Sequence, residues 1–88
     1  MSDRIMRIRA ALQQGLDTDD IAIRDDSHLH AGHAGAQTGL GHFHVTIRSR
    51  YFSGKSPIDR HRLVYDALGP LMETDIHAVS MRAMAPEE

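Results

Sequence analysis

The chain has 88 residues, of which 41% are hydrophobic and 25% are charged, and its formal net charge at pH 7 is −2. These values are typical of one small globular domain spanning residues 1–88, and they exclude a disordered chain or a polycation that coats nucleic acid by bulk charge. No apolar run approaches the roughly 18 residues needed to span a bilayer, and the first residues do not read as a secretory signal, so we expect a cytoplasmic protein without membrane contact.

The first predicted element is an amphipathic helix. Its apolar residues recur with helical spacing: Met1, Ile5, Ile8 and Leu12. Gly15 is the expected stop at the C-terminal end. The short β-branched run at residues 21–24 then predicts a first strand.

A second strand follows a long connection. Phe43, Val45 and Ile47 alternate with polar residues, as in a strand covered on one face. Residues 26–41 exceed the usual limit of about 12–15 residues for an unstructured loop in a compact domain, and such loops are usually functional. This connection is rich in glycine and contains His28, His30 and His33.

A set of capping residues predicts the start of a second helix. Ser56 is the expected N-cap, Pro57 takes the first helical position, and Asp59 faces the positive end of the helix. We therefore assign Ser56 and Asp59 structural roles. The predicted apolar stripe comprises Ile58, His61, Val64, Tyr65 and Leu68, which makes His61 a partly buried packing residue.

After Gly69-Pro70 the pattern predicts one more short helical turn, a third strand at residues 76–82 and a frayed tail at residues 85–88. The element order αββα(α)β predicts an α+β fold, a three-stranded sheet with helices packed on one face.

Neither of two possible catalytic motifs is complete in this sequence. The tripeptide Gly54-Lys55-Ser56 resembles the end of a phosphate-binding loop, but that motif requires a glycine where this chain has Ser49. No serine or threonine stands in a recognisable nucleophile motif with histidine and carboxylate. We therefore expect a protein that is not an enzyme.

The histidines permit metal binding without proving it. Neutral imidazoles that converge can hold zinc or iron, but the spacing of His28, His30 and His33 is a weak pattern that an exposed loop also produces. His77 opens the third strand with the parity of Val79 and Met81, so it is either a residue at the edge of the core or a ligand at the end of the sheet. Because the chain has no cysteine, any thiolate ligand must come from a partner.

The whole pattern resembles the BolA family. The resemblance is carried by the HAGHAG loop, the GHFHVTI strand, the YFSGKSPIDRHRLVYDAL segment and the C-terminal IHAVSMRAMAPEE. It implies a fold similar to the class II KH domain, αββααβ with a mixed sheet, which agrees with the element order above.

The resemblance also implies a cofactor and a partner. Members of this family form complexes with monothiol glutaredoxins in which a [2Fe-2S] cluster is bridged, with sulfur supplied by glutaredoxin and glutathione. The C-terminal histidine ligand of the family falls on His77, and the loop ligand falls on His30, with His33 and His28 as neighbouring candidates. We therefore expect shared ligation in cluster trafficking or iron and redox regulation, no cluster in the isolated chain, and a free monomer or weak homodimer.

The alternative function is DNA binding by a transcriptional regulator, which the family resemblance also implies. The positions expected to contact phosphate are basic residues on and near the second helix: Lys55, Arg60, Arg62, Arg48 and Arg50. The segment near Gly54 departs from the GxxG loop of KH domains, because it offers only one glycine. A protein-interaction module without a metal role is a third reading.

Overall fold

The computed structural model describes residues 3–26 and 41–88. Its elements in chain order are α1 (Asp3–Leu16), β1 (Ile21–Asp25), β2 (Gly41–Arg48), a 3₁₀ turn (Arg50–Phe52), α2 (Pro57–Leu68), α3 (Leu71–Thr74) and β3 (Ile76–Met84). This order confirms the predicted α+β fold. The predicted loop ligands His28, His30 and His33 lie outside the described residues.

The three strands form one mixed sheet with β2 in the centre. β1 pairs with β2 in the antiparallel sense, with Ile21 opposite Ile47. β3 pairs with β2 in the parallel sense and runs to Met84, two residues further than predicted. A parallel neighbour requires a crossover connection, and the chain supplies one in α2 and α3.

The core lies between the helices and one face of the sheet. Phe43, Val45 and Ile47 are fully buried, which confirms the predicted alternation along β2. They belong to one hydrophobic cluster with buried residues of α1 and α2: Ile8, Leu12, Leu16, Val64 and Leu68. Within the described ranges, no helix is both long and apolar enough to cross a bilayer.

The prediction that Gly15 ends the first helix is wrong. It lies inside α1, which continues to Leu16, and the chain turns at Asp17 with a left-handed φ of 50°. A Cβ atom on Gly15 would come within 2.6 Å of the Ala67 Cβ. Gly15 is therefore required for the close approach of α1 and α2.

The predicted apolar stripe of α2 is only partly correct. Val64 and Leu68 are buried, but Ile58 is 66% exposed, Tyr65 is 40% exposed and His61, expected to be partly buried, is exposed. The face that packs on the core instead includes Leu63 and Ala67. The rotation of this helix about its axis is therefore set by its contact with α1. It is not set by the burial of Ile58, the apolar residue at its start.

The prediction of a frayed tail at residues 85–88 is wrong. Ala85 is fully buried, and its backbone N–H donates to Glu88 Oε1 at 2.9 Å. Arg60 donates to both carboxylate oxygens of Glu88, at 2.6 and 2.9 Å. A bidentate pair with α2 therefore anchors the last residues.

Candidate functional site

The candidate site is the end of the sheet at which β2 and β3 begin. The Gly41 N–H donates to the Asp75 carbonyl at 3.0 Å, and the Asp26 N–H donates to the His42 carbonyl at 2.8 Å. Asp26 and Gly41 are the described residues that bracket residues 27–40. Both attachment points of the histidine-containing segment are thus at the end of the sheet where β3 begins, Gly41 directly beside β3 and Asp26 one strand further away.

His77 occupies an irregularity in the pairing of β2 with β3. Gly41 pairs with Ile76 and His42 pairs with Ala78, so His77 is an extra residue on β3. Ile76 is buried, whereas His77 is exposed. The expected parity of His77 with Val79 and Met81 is interrupted by this bulge, a feature that often redirects side chains near functional sites.

An ion pair with α1 anchors the start of β3. Arg7 donates from Nε and Nη2 to the two carboxylate oxygens of Asp75, at 3.2 and 3.0 Å, and Arg4 Nε lies 3.6 Å from the same group. The hydrogen bonds from Arg7 lower the pKa of the Asp75 carboxyl below its usual value, although burial acts in the opposite direction. Asp75 also accepts the Gly41 N–H through its carbonyl. The ion pair of Arg7 with Asp75, which we call the clamp, therefore joins α1, β2 and β3 two positions before His77.

A second ion pair stands at the other attachment point. Arg24 donates from Nε and Nη2 to Asp26, at 2.8 and 3.2 Å. The Asp26 side chain is 10% exposed, so its carboxylate is held against the sheet. One bidentate arginine–aspartate pair therefore lies at the end of β1, and the other lies just before β3, where the Asp75 carbonyl accepts the Gly41 N–H.

Two further histidines lie on β2, on the face away from the core. His42 and His44 alternate with the buried Phe43. His44 Nδ1 and Ser80 Oγ share a hydrogen bond of 2.8 Å across β2 and β3. These imidazoles belong to the sheet face and not to the bulge that carries His77.

In the described part of the chain, no group of three or more histidine, cysteine, aspartate or glutamate residues is arranged to hold a metal ion. His77 is the one predicted metal ligand that falls within residues 3–26 and 41–88. Its exposed side chain leaves room for donors supplied from elsewhere.

Two of the five basic residues predicted to contact DNA already have partners within the fold. Arg60 binds Glu88 and the carbonyls of Lys55 and Ala83, each carbonyl at 3.0 Å, and its side chain is only 14% exposed. Arg50 donates to Asp17 at 2.6 Å and stacks over the Tyr51 ring. Both arginines are thus engaged within the fold.

Lys55 and Arg62 remain exposed near the start of α2. With Asp59 and Leu63 they line a shallow groove, and Arg62 lies 3.9 Å from Asp59. Ser56 accepts the Asp59 N–H at 3.2 Å, which confirms the predicted helix cap. Arg48 lies on the sheet face, next to Met84.

Sequence reasoning missed the clamp between Arg7 and Asp75. The two residues are 68 positions apart, and neither belongs to a motif. The one signal in the sequence was the position of a charged residue, Asp75, directly before an apolar strand. Its buried partner was not predictable without the packing of α1 on the sheet.

Comparison with known proteins gives a consistent result. The family model described as BolA-like protein matches residues 12–88. SufE-like protein 1, chloroplastic/mitochondrial, of Arabidopsis thaliana is 40% identical over 93 residues, which cover 100% of this chain and 25% of the relative. BolA-like protein 1 of Mus musculus is 40% identical over 81 residues, which cover 92% of this chain and 57% of the relative.

The folds agree as well. The BolA domain of SufE1 from Arabidopsis thaliana superimposes with a TM-score of 0.85 at 40% identity, covering 99% of this chain and 96% of that domain. The chain spans only a quarter to rather more than half of the two curated relatives. It therefore corresponds to one domain of the longer plant protein.

Proposed function

This chain belongs to the BolA family, and from that premise we propose that it is a non-enzymatic partner of a monothiol glutaredoxin. In this proposal the two proteins share a bridging [2Fe-2S] cluster, to which this chain contributes His77 and one histidine of the segment at residues 28–33. The complex would serve cluster trafficking or iron and redox regulation.

The observation that carries the proposal is the position of His77. Its bulge adjoins Gly41, and Asp26 pairs with the neighbouring His42. His30 is four residues beyond Asp26, at most about 14 Å of extended chain, whereas β1 and β3 are separated by two strand spacings, or about 10 Å. The covalent geometry thus allows a loop histidine to meet His77.

The available donors fit a shared cluster better than a site within one chain. The chain has no cysteine, so it offers imidazole nitrogen and no thiolate. Imidazole replaces thiolate on one iron of some [2Fe-2S] centres and raises their reduction potential. The remaining thiolates must come from outside this chain, which is what glutaredoxin and its glutathione would supply.

The names of the relatives support a link to iron–sulfur chemistry. A BolA domain is part of the plant protein named SufE-like, and that name hints at such a link. The same name includes chloroplastic/mitochondrial, so the cytoplasmic location stays a prediction for this chain.

The proposal is tested by anaerobic co-purification with a glutathione-loaded monothiol glutaredoxin, iron and sulfide. We expect a coloured heterodimer with about two iron and two sulfide per pair, as the [2Fe-2S] formula requires. His77→Ala should change its visible circular dichroism, whereas the matched control His61→Ala, on the exposed face of α2, should not. A heterodimer without iron, or a spectrum indifferent to His77→Ala, would contradict the proposal.

DNA binding remains the competing function. Lys55 and Arg62 favour it, because they are exposed beside the first turn of α2. Arg60 does not, because its guanidinium is occupied by Glu88 and two backbone carbonyls. If this function is correct, Lys55 and Arg62 should carry the phosphate contacts.

A further inference from the structure

The described helices leave one face of the sheet uncovered. We call it the open sheet face. The polar side chains on it that the argument uses are Arg24, His42, His44, Arg48, Ser80 and Arg82. They alternate along their strands with residues that pack on the core, such as Ile23, Val45 and Met81. The face begins beside Gly41 and His77 and continues across all three strands.

Two of the arginines on this face have no carboxylate partner. Arg24 is satisfied by Asp26, but Arg82 is exposed and has no ion pair within the described part of the chain. Arg48 also makes no ion pair there, but it is half-buried and donates from Nη2 to Met84 Sδ at 3.8 Å. Arg82 pairs with Thr46, and Arg48 pairs with Met84, so the two arginines are diagonal neighbours on adjacent strands, about 8 Å apart at the backbone.

Neither of the two acidic residues known to lie near Arg48 forms an ion pair with it. Glu88 is close enough to Arg48 for the guanidinium to contribute to its lowered pKa, but both of its oxygens are bound by Arg60. Asp20 accepts the Arg48 N–H through its carbonyl, and its carboxylate makes no ion pair with any residue of 3–26 or 41–88. A chain with net charge −2 thus presents two adjacent cations on a sheet face that the described helices leave open.

The shape and composition of this face favour a protein as its ligand. Single-stranded nucleic acid is bound by stacking bases on aromatic side chains. β1, β2 and β3 place no phenylalanine, tyrosine or tryptophan on the open sheet face, since Phe43 faces the core, and the imidazoles of that face, His42 and His44, are half-buried, with His44 bonded to Ser80. Recognition of a duplex usually places a helix or a narrow β-ribbon in a groove. A broad sheet face with unpaired cations instead complements a protein surface that carries carboxylates.

We propose that the open sheet face docks an acidic surface of the partner protein, with Arg82 and Arg48 meeting its carboxylates. The identity of that partner as a glutaredoxin rests on the function proposed above. Because the face begins at Gly41 and His77, docking there brings the partner's donors to the candidate metal site.

The first test uses a deca-glutamate peptide and the intact chain, and therefore does not depend on the glutaredoxin. Amide chemical shifts in ¹H-¹⁵N spectra should move for Thr46, Ser80 and Arg82. Arg82→Glu should weaken peptide binding about tenfold, because it replaces an attraction by a repulsion. The matched control Arg62→Glu, an exposed arginine on α2, should change it less than twofold.

The second test repeats the two variants with metal-free, glutathione-loaded glutaredoxin and measures the dissociation constant. Weaker binding for Arg82→Glu alone supports docking on this face. If the peptide binds as expected but glutaredoxin binds neither the wild type nor the variants, the proposed function fails. The inference that the open sheet face binds an acidic protein surface then still stands.

Three results would overturn the inference. One is peptide shifts confined to α2. Another is a duplex of equal charge that displaces the peptide from the open sheet face at lower concentration, which would identify nucleic acid as the ligand. The third is the absence of any shift when the peptide is added.

Discussion

Arg7 in the first helix donates two hydrogen bonds, of 3.2 and 3.0 Å, to the carboxylate of Asp75, the residue before the last strand. The Asp75 carbonyl in turn holds the Gly41 N–H at 3.0 Å. Asp75 thereby connects α1, through its carboxylate, to Gly41, through its carbonyl, at the end of the sheet where His77 lies.

Replacing Arg7 should loosen this end of the sheet. Arg7→Gln removes both charge-assisted hydrogen bonds and leaves Asp75 with Arg4 alone, which should reduce the free energy of unfolding by more than the control variant below does. The Gly41 amide should exchange with solvent about tenfold faster, a local effect measurable by hydrogen exchange. The control Arg62→Gln, at an exposed position, should stay within about 0.5 kcal/mol, and equal protection of Gly41 in both variants would argue against the clamp.

Gly15→Ala should destabilise the protein even though alanine is the better helix former. The new methyl group would lie 2.6 Å from the Ala67 Cβ, so α1 and α2 must separate, at a cost of about 1–3 kcal/mol that exceeds the gain in helix propensity of about 1 kcal/mol. Gln14→Ala, next to it and exposed, is the matched control and should be nearly neutral in urea denaturation. A Gly15→Ala protein more stable than the wild type would show that the helices separate without cost.

The C-terminal tail should respond to acid at an unusually low pH. Hydrogen bonds from Arg60 lower the pKa of the Glu88 carboxyl to about 2. A lowered pKa means that the contact contributes stability above the ordinary value of about 4.3 and loses it as the pH falls through about 2.

This behaviour can be followed from the ¹³C carboxyl resonance of Glu88. In Arg60→Gln the midpoint should return toward the ordinary value, and the Ala85 amide should lose protection. A titration of Glu88 unaffected by Arg60→Gln would contradict the assigned pair. Arg62→Gln serves again as the control.

The second histidine ligand can be assigned by single replacements. We expect one of His28→Ala, His30→Ala and His33→Ala to reproduce the spectral change of His77→Ala in the glutaredoxin complex, with His30→Ala the first candidate. The other two should leave the spectrum of the wild type. If the triple replacement has no effect, the loop contributes no ligand.

The two candidate functions differ in their dependence on salt. If the chain binds DNA, the logarithm of the association constant should fall linearly with the logarithm of salt concentration, and the slope should decrease by about one for each phosphate contact removed. Lys55→Gln and Arg62→Gln should each lower that slope, whereas Arg60→Gln should chiefly release the tail. No measurable binding to duplex DNA at low ionic strength would remove this alternative.

Local signals determined much of this fold. The alternation along β2 and the capping residues Ser56 and Pro57 depend on neighbours within a few positions, so strand and helix were predictable without packing information. The separated motifs of the chain also identified the BolA family, and the matches to BolA-like proteins confirm it.

By itself, then, the sequence determined the elements, their order and the family, because these follow from periodicity and short motifs. Only the tertiary structure decided the rotation of α2, the packing role of Gly15, the bulge at His77 and the clamp between Arg7 and Asp75. Each of these depends on a contact between residues far apart in the chain, and its geometry exists only once helices and sheet have packed together.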